Sequence, residues 1–306
     1  MGQNSVILNG TAGARRMERT REISDYVLIT GASQGLGRAF AEEFAKRGTD
    51  LILVSLPGQG LARTAHDLTW RYDVRTQSYE IDLTAEGSPE ALVQWIHNRG
   101  FPVSVLINNA GVGYNSRFDD STLRENEACI LLNNLVTVKI THLLLPELKR
   151  HDTAHILNVS SLAAFFPMPF MPVYAPSKTF ILNFSLALRQ EMRGSPVRVS
   201  ALCPNGIRTN AACRAQIADS GLAGRLTCKD PEEVARVAVK QMLQGHDVIV
   251  PGLLNKMLAA VGTTVPRTLI TRVITQFWGK TAQRARATTR KTRRRKHKSG
   301  VSPVEA

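Results

Sequence analysis

From residue 25 to residue 251 the chain repeats one rhythm, a short run of β-branched and other apolar residues followed by a longer stretch with helical periodicity. The runs are DYVLIT (25–30), DLILVSL (50–56), TQSYEIDL (76–83), VSVLINN (103–109), AHILNVS (154–160), VRVSALC (197–203) and HDVIVPG (246–252). Strands separated by helices pair in parallel, because a crossover of that length returns the chain to the same edge of the sheet, and helices must then cover the apolar faces. The rhythm predicts an α/β fold, a doubly wound Rossmann-like parallel sheet of about seven strands, as one domain over 25–252. A length of 306 residues with 43% hydrophobic content suffices for such a core and excludes a chain disordered throughout. No internal repeat is present.

The flanks have a different character. Residues 1–24 read as an N-terminal extension, 253–279 as a C-terminal amphipathic helical segment, and 280–306 as a basic tail predicted to be disordered. In the helical segment LLNKMLAAV repeats its apolar residues at helical spacing and Pro266 breaks the run. LITRVITQFW then places Leu269, Ile270, Val273, Ile274, Phe277 and Trp278 on one face, with Arg267, Thr271, Arg272 and Gln276 on the other. Such a helix can dock on its own protein, form a partner interface or lie in a membrane surface. The formal charge of +14 gathers at the ends: residues 280–306 hold ten Lys/Arg against Glu305, a net of +9. A solvated tail and contact with anionic lipid both suit this charge; the lack of aromatic interleaving argues against nucleic acid.

Cys129, Cys203, Cys213 and Cys228 form no CxxC pair and no zinc-like grouping with His, which points to reduced thiols and no metal site. The N-terminus lacks the apolar core of a signal peptide, and no run of 18 uninterrupted apolar residues occurs. A cytoplasmic protein is expected, with membrane association through the C-terminal segment as the variant of that expectation.

Directly after the first run comes TGASQGLG, in which Gly31, Ser33, Gln34, Gly35, Leu36 and Gly37 open a helix continuing RAFAEEFAKRG. Glycines there let the backbone approach a pyrophosphate, whose charge is met by free amides and the positive end of the helix dipole. In VYAPSK, Tyr174 and Lys178 lie one helical turn apart on the same face.

Together with NNAG at 108–111, Asn133 in LLNNLVTVKITHLLLPEL, Ser161 in NVSS and PNGIRT at 204–209, these motifs resemble, in order and spacing, the short-chain dehydrogenase/reductase family over residues 25–252. The resemblance implies an oxidoreductase that exchanges hydride between NAD(P)(H) and a carbonyl or secondary alcohol. Asn133, Ser161, Tyr174 and Lys178 would form its catalytic set. Tyr174 would be the general acid or base, and Ser161 would hold the substrate oxygen. Asn133, with Asn134 as the competing assignment, would hold a water in a relay to Lys178. A free phenol ionises near pH 10, so work near neutrality asks for a downward displacement of roughly three pH units. The Lys178 charge is expected to supply much of it.

The same resemblance puts Asp82 and Leu83 beside adenine, Asn109, Ala110 and Gly111 along the adenine ribose, Tyr174 and Lys178 at the nicotinamide ribose, and Pro204 and Thr209 over the nicotinamide. The chain departs from the usual pattern at Asn205, which stands where a glycine is common; Asn tolerates left-handed backbone. The second run ends without the acid that grips a ribose 2′-hydroxyl, so NADP is expected, helped by Ser55, Gln34 or Arg38, while NAD stays open. Phe165, Phe166, Met168, Phe170 and Met171 would form either an apolar substrate wall, with Phe166 touching substrate beside Ser161 and Tyr174, or core. An apolar ketone, a 3-oxoacyl compound or a steroid-like molecule suits that wall. Residues 211–229 read as a lid or as an ordinary connecting helix. A homodimer or homotetramer through helices such as 121–149 and 172–193 is implied. The rival from another class is a nucleotide-binding regulatory or scaffold protein without turnover, acting through its basic tail.

Overall fold

The computed structural model describes residues 25–275 apart from 115, 209–226, 267 and 273. Residues 211–226 of the expected lid, Thr209, Val273, Phe277, Trp278, the N-terminal extension and the basic tail lie outside the described residues. The elements run β1 (Tyr26–Thr30), α1 (Gly35–Ala45), β2 (Asp50–Ser55), α2 (Leu61–Tyr72), β3 (Thr76–Glu80), α3 (Ser88–Asn98), β4 (Val103–Asn108), α4 (Leu123–Ile130), α5 (Val136–Leu148), β5 (Ala154–Val159), α6 (Tyr174–Glu191), β6 (Val197–Leu202), α7 (Pro231–Leu243), β7 (Val248–Ile249) and α8 (Leu253–Thr264).

The strands form one seven-stranded sheet in the order β3-β2-β1-β4-β5-β6-β7. Every pairing is parallel. Alternate residues of β1 enter opposite cores: Val27 and Ile29 pack with Phe40 and Phe44 of α1 and Val239 and Met242 of α7, whereas Leu28 packs with Ile96 of α3 and Ile140 and Leu144 of α5. This period of two, with both faces covered, is why the strands read as continuous apolar runs. Each fully buried Leu, Ile or Phe in these layers contributes roughly 1.5–3 kcal/mol.

Three elements differ from the pattern in the sequence. β3 ends at Glu80 although apolar character continues; Ile81 still donates its amide to the Ser55 carbonyl (2.8 Å) before the chain leaves the sheet. β7 pairs through only two residues, at the sheet edge just before Pro251. The expected single helix over 121–149 is divided by a π-helical turn, Leu131–Leu135, between α4 and α5. Leu123–Leu148 is long and apolar enough, at a mean hydropathy of 1.6, to cross a membrane by length and composition alone. Its inner face, however, carries Val136, Ile140, Leu144 and Leu148 into the core.

Candidate active site

β1 and β4 are neighbours whose following helices turn to opposite sides of the sheet, so a crevice opens beyond their C-terminal ends. The Gly-rich turn lines one side. Gly31 has φ 68°, and a Cβ on Gly37 would fall 2.0 Å from the Gly31 carbonyl oxygen, so the turn and the first turn of α1 pack backbone to backbone. Gln34 is the N-cap of α1 but its side chain caps nothing, and the first turn holds no acid. The amides and dipole of α1 are thus left for an anion, which fits a dinucleotide pyrophosphate. Ser33 is half-buried in this turn, Leu36 is buried and Gln34 is exposed.

Thr30 fastens this side to the end of β4. Its Oγ1 accepts from the Asn109 and Ala110 amides (both 3.0 Å), and Asn109 Nδ2 donates back to the carbonyls of Thr30 (2.9 Å) and Gly31 (3.1 Å). The Asn109 side chain therefore shapes the turn from within. Asp82 is exposed and folded on itself, accepting from the Thr84 amide (2.9 Å) and hydroxyl (2.7 Å), with Leu83 buried beneath. Ser55 is buried and donates to the Leu56 carbonyl (3.0 Å). Arg38 is exposed and only loosely paired with Asp67 (3.8 Å).

The other side of the crevice is built from side chains. Ser161 lies two residues beyond β5 and accepts from the Ala163 amide (3.1 Å), which caps the following 3-10 turn. Its hydroxyl lies beside the Tyr174 phenol, close enough to lower that group's pKa. One turn on, Lys178 is buried; its Nζ donates to the Val159 carbonyl (2.9 Å) and lies 5.7 Å from the Tyr174 ring centre. Asn133, buried in the π-helical turn, grips the loop after β4 with both amide atoms: Oδ1 accepts from the Val112 amide and Nδ2 donates to the Val112 carbonyl (both 2.9 Å). Asn134 instead donates to the Ser177 carbonyl (2.8 Å). The wider turn lets two consecutive asparagines reach neighbouring structure. Of the two, Asn133 faces the crevice, since a Cβ on Gly111 would come within 2.9 Å of its Oδ1 and 3.3 Å of Lys178 Nζ.

The electrostatics depart from expectation. Burial holds the Tyr174 phenol above its ordinary value, only partly offset by the Ser161 hydroxyl beside it. Burial also pulls the Lys178 ammonium down to about 8. The lysine turns to a main-chain carbonyl instead of the phenol, so desolvation wins over ion–phenol attraction and Tyr174 stays protonated at neutral pH.

Asn205 needs no left-handed backbone: among described residues only Asp73 and Phe170 outside glycine have positive φ. Asn205 Oδ1 accepts from the Gly206 amide instead (2.9 Å). Pro204 is buried, and its carbonyl accepts from Leu162 (2.8 Å). Phe165, Phe166 and Met168 line a cavity of about 460 Å³ with Pro176, Thr179 and Thr271. Pro176 and Thr179 lie on the face of α6 turned away from Tyr174 and Lys178. Phe166 faces this apolar space, which adjoins the C-terminal segment through Thr271. Phe170, at φ 70°, accepts from the Ser116 amide through its carbonyl (2.8 Å).

Sequence reasoning passed over four supporting residues. Ser177 accepts from Asn133 Nδ2 (3.0 Å) and donates to the Tyr174 carbonyl (2.7 Å). Ser160 donates to the Lys178 carbonyl (2.7 Å). Thr30 has the role described above. Gly113 lies so close to the Tyr174 ring that a Cβ would approach to 2.6 Å. The signal for Ser177 was available, because a serine one residue before Lys178 in an otherwise buried helix start demands a polar partner.

The short chain dehydrogenase family model matches residues 25–218. The ketoacyl reductase HetN of Nostoc sp. is 31% identical over 82% of this chain and 88% of its own length. A very-long-chain 3-oxoacyl-CoA reductase of Macaca fascicularis is 29% identical over 62% of this chain and 62% of that protein, so the chain spans under two thirds of that relative. A short-chain dehydrogenase from Sphingobium yanoikuyae, solved in complex with NADPH, superposes with a TM-score of 0.67 at 26% identity, covering 92% of this chain and 98% of that one.

Proposed function

The chain belongs to the short chain dehydrogenase family, and on that premise we propose that this NAD(P)-dependent oxidoreductase works as an NADPH-dependent reductase of an apolar ketone or 3-oxoacyl substrate. The observation that carries the reading is Ser161 beside the Tyr174 phenol with Lys178 buried one turn away, on the far side of one crevice from the uncapped N-terminus of α1. Gly31, Ser33, Gln34 and Gly35 would hold the pyrophosphate, and Asn109, Ala110 and Gly111 would line the ribose side. Bound there, the dinucleotide supplies hydride to the carbonyl carbon.

The chain's own residues handle the proton. As the carbonyl oxygen gains electron density, Tyr174 donates its phenolic proton to it while the Ser161 hydroxyl holds that oxygen in place. A phenol kept protonated by burial suits the reductive direction. Lys178 stabilises the tyrosinate left behind, and Asn133 keeps the loop at Val112 against it.

NADPH is favoured because no carboxylate follows β2 and Arg38 stands exposed at the start of α1. The 3-oxoacyl class rests on the ketoacyl and 3-oxoacyl-CoA reductases among the relatives. Exposed Leu123, Ile130 and Leu135 on the α4–α5 stretch, and Phe180 stacked on Phe184 of α6, suit burial between copies in a homodimer or homotetramer. The test is oxidation of NADPH and NADH by full-length protein against 3-oxoacyl thioesters, ketosteroids, aliphatic and aromatic ketones, and sugars. Turnover of an apolar ketone or thioester with NADPH is expected. Binding of NADH about tenfold tighter than NADPH, a difference of about 1.4 kcal/mol, removes the NADP assignment.

A further inference from the structure

Helix α8 docks by one edge and leaves the other bare. Asn255 and Ala259 are buried, with Asn255 Nδ2 donating to the carbonyls of Pro251 (2.8 Å) and Thr227 (3.0 Å). Gly262 meets the 3-10 turn so closely that a Cβ would come within 2.8 Å of Phe165. This settles docking on the protein for one face. On the outer side Leu253, Met257 and Val261, spaced by four, are 77%, 59% and 46% exposed, flanked by Leu254 and Leu258 at 43% and 36%. Five large apolar side chains thus form a continuous strip on one helix, and Leu269 beyond Pro266 is a further exposed one at 53%.

Charge indicates what covers the strip. From Val248 to Val304 the chain carries thirteen Lys/Arg and no Asp or Glu. We propose that the outer face of α8 rests in the surface of an anionic bilayer, its Leu and Met side chains in the acyl boundary and the basic residues that follow among the headgroups. Apolar insertion and cationic attraction reinforce each other on such a surface. A second copy would bring two like-charged segments together, and a nucleic acid would leave the strip in water. On this surface the 460 Å³ apolar cavity beside Thr271 adjoins the segment next to the lipid, which suits an apolar substrate. The proposal holds whichever carbonyl compound is reduced.

The test is co-sedimentation of full-length protein with phosphatidylcholine vesicles, with and without phosphatidylglycerol, at low and high salt. It is repeated on L253D/M257D/V261D and, should that variant fail to fold by circular dichroism, on L254D alone. Full-length protein is expected to sediment with the anionic vesicles, weakened but not abolished by salt. The triple variant should lose about tenfold or more of that partitioning, the apolar share of the attachment, and keep NADPH oxidation on a water-soluble ketone. Protein that stays in the supernatant with anionic vesicles at low salt overturns the proposal. So does an aspartate variant that partitions like wild type, or one whose sedimentation mass falls to a smaller oligomer, which would mean a second copy covers the strip. Duplex DNA binding that replaces vesicle binding and falls steeply with salt also overturns it.

Discussion

The two sides of the crevice hold their shape by different means. On the nucleotide side the fixed points are backbone atoms: Gly37 against the Gly31 carbonyl, the Thr30 and Gly31 carbonyls against Asn109, and a helix N-terminus with no side-chain cap. On the catalytic side they are buried polar side chains. Asn133, Ser177, Ser160 and Lys178 are tied to one another or to main-chain carbonyls. Below them Asn108 donates to Thr141 (3.0 Å) and Asn158 (2.8 Å), and Asn158 to Ser185 (2.9 Å). A side built from backbone fails when atoms are added. One built from buried polar groups fails when a partner is taken away, since each deletion strands a group that costs about 1–3 kcal/mol.

The largest effect should come from adding atoms. Gly37→Val places a Cβ 2.0 Å from the Gly31 oxygen, which neither backbone can yield. More than about 3 kcal/mol of stability and measurable NADPH binding should be lost, read by denaturant unfolding and fluorescence titration. A variant that binds NADPH normally would break the contrast.

Lys178→Met separates activity from stability. The folded ammonium sits at about 8, below its ordinary 10.5, so the unfolded chain binds the proton more tightly. The resulting penalty is full below about pH 8 and fades as pH rises toward 10.5, amounting to roughly 3 kcal/mol at neutrality. Loss of the Val159 hydrogen bond returns about 1 kcal/mol. Met should therefore raise stability at pH 7, the exception to the rule for this side because the group removed is a desolvated charge, with the gain shrinking above pH 8, while reduction slows at least about tenfold. Lower stability at pH 7 would show that the lysine is held by favourable contacts instead.

Asn158→Leu should have the smallest effect, about 1–2 kcal/mol of lost stability as Asn108 and Ser185 lose a partner, with the Kd for NADPH unchanged. A weakened Kd would couple the two sides more closely than the geometry does.

The same contrast explains what was legible in the sequence. The sheet was readable because strands buried on both faces must be apolar, and the nucleotide side because glycine is the residue a backbone contact requires. Tyr174 and Lys178 were readable only as part of the ordered set of motifs, their one-turn spacing alone meaning little. The π-helical turn at Leu131–Leu135 was not, since apolar periodicity through LLNNLVTVKI suits an unbroken helix and only the asparagine contacts reveal the extra residue. Nor was the protonation of Tyr174: the sequence puts a positive charge one turn away, but burial and the turn of Lys178 to Val159 depend on tertiary packing. The apolar residues after Ser161 suited a substrate wall and core alike, and only the packing of Phe165, Phe166 and Met168 around an open space distinguishes the two.

The central claim is that Tyr174 delivers the proton while the nucleotide side works independently of it. Stopped-flow hydride transfer from prebound NADPH to an accepted ketone, in wild type and Tyr174→Phe, tests this most directly. The account predicts an unchanged Kd for NADPH and hydride transfer at least about a hundredfold slower in the Phe variant, the low end for removing a general acid. Transfer at near wild-type speed would contradict it.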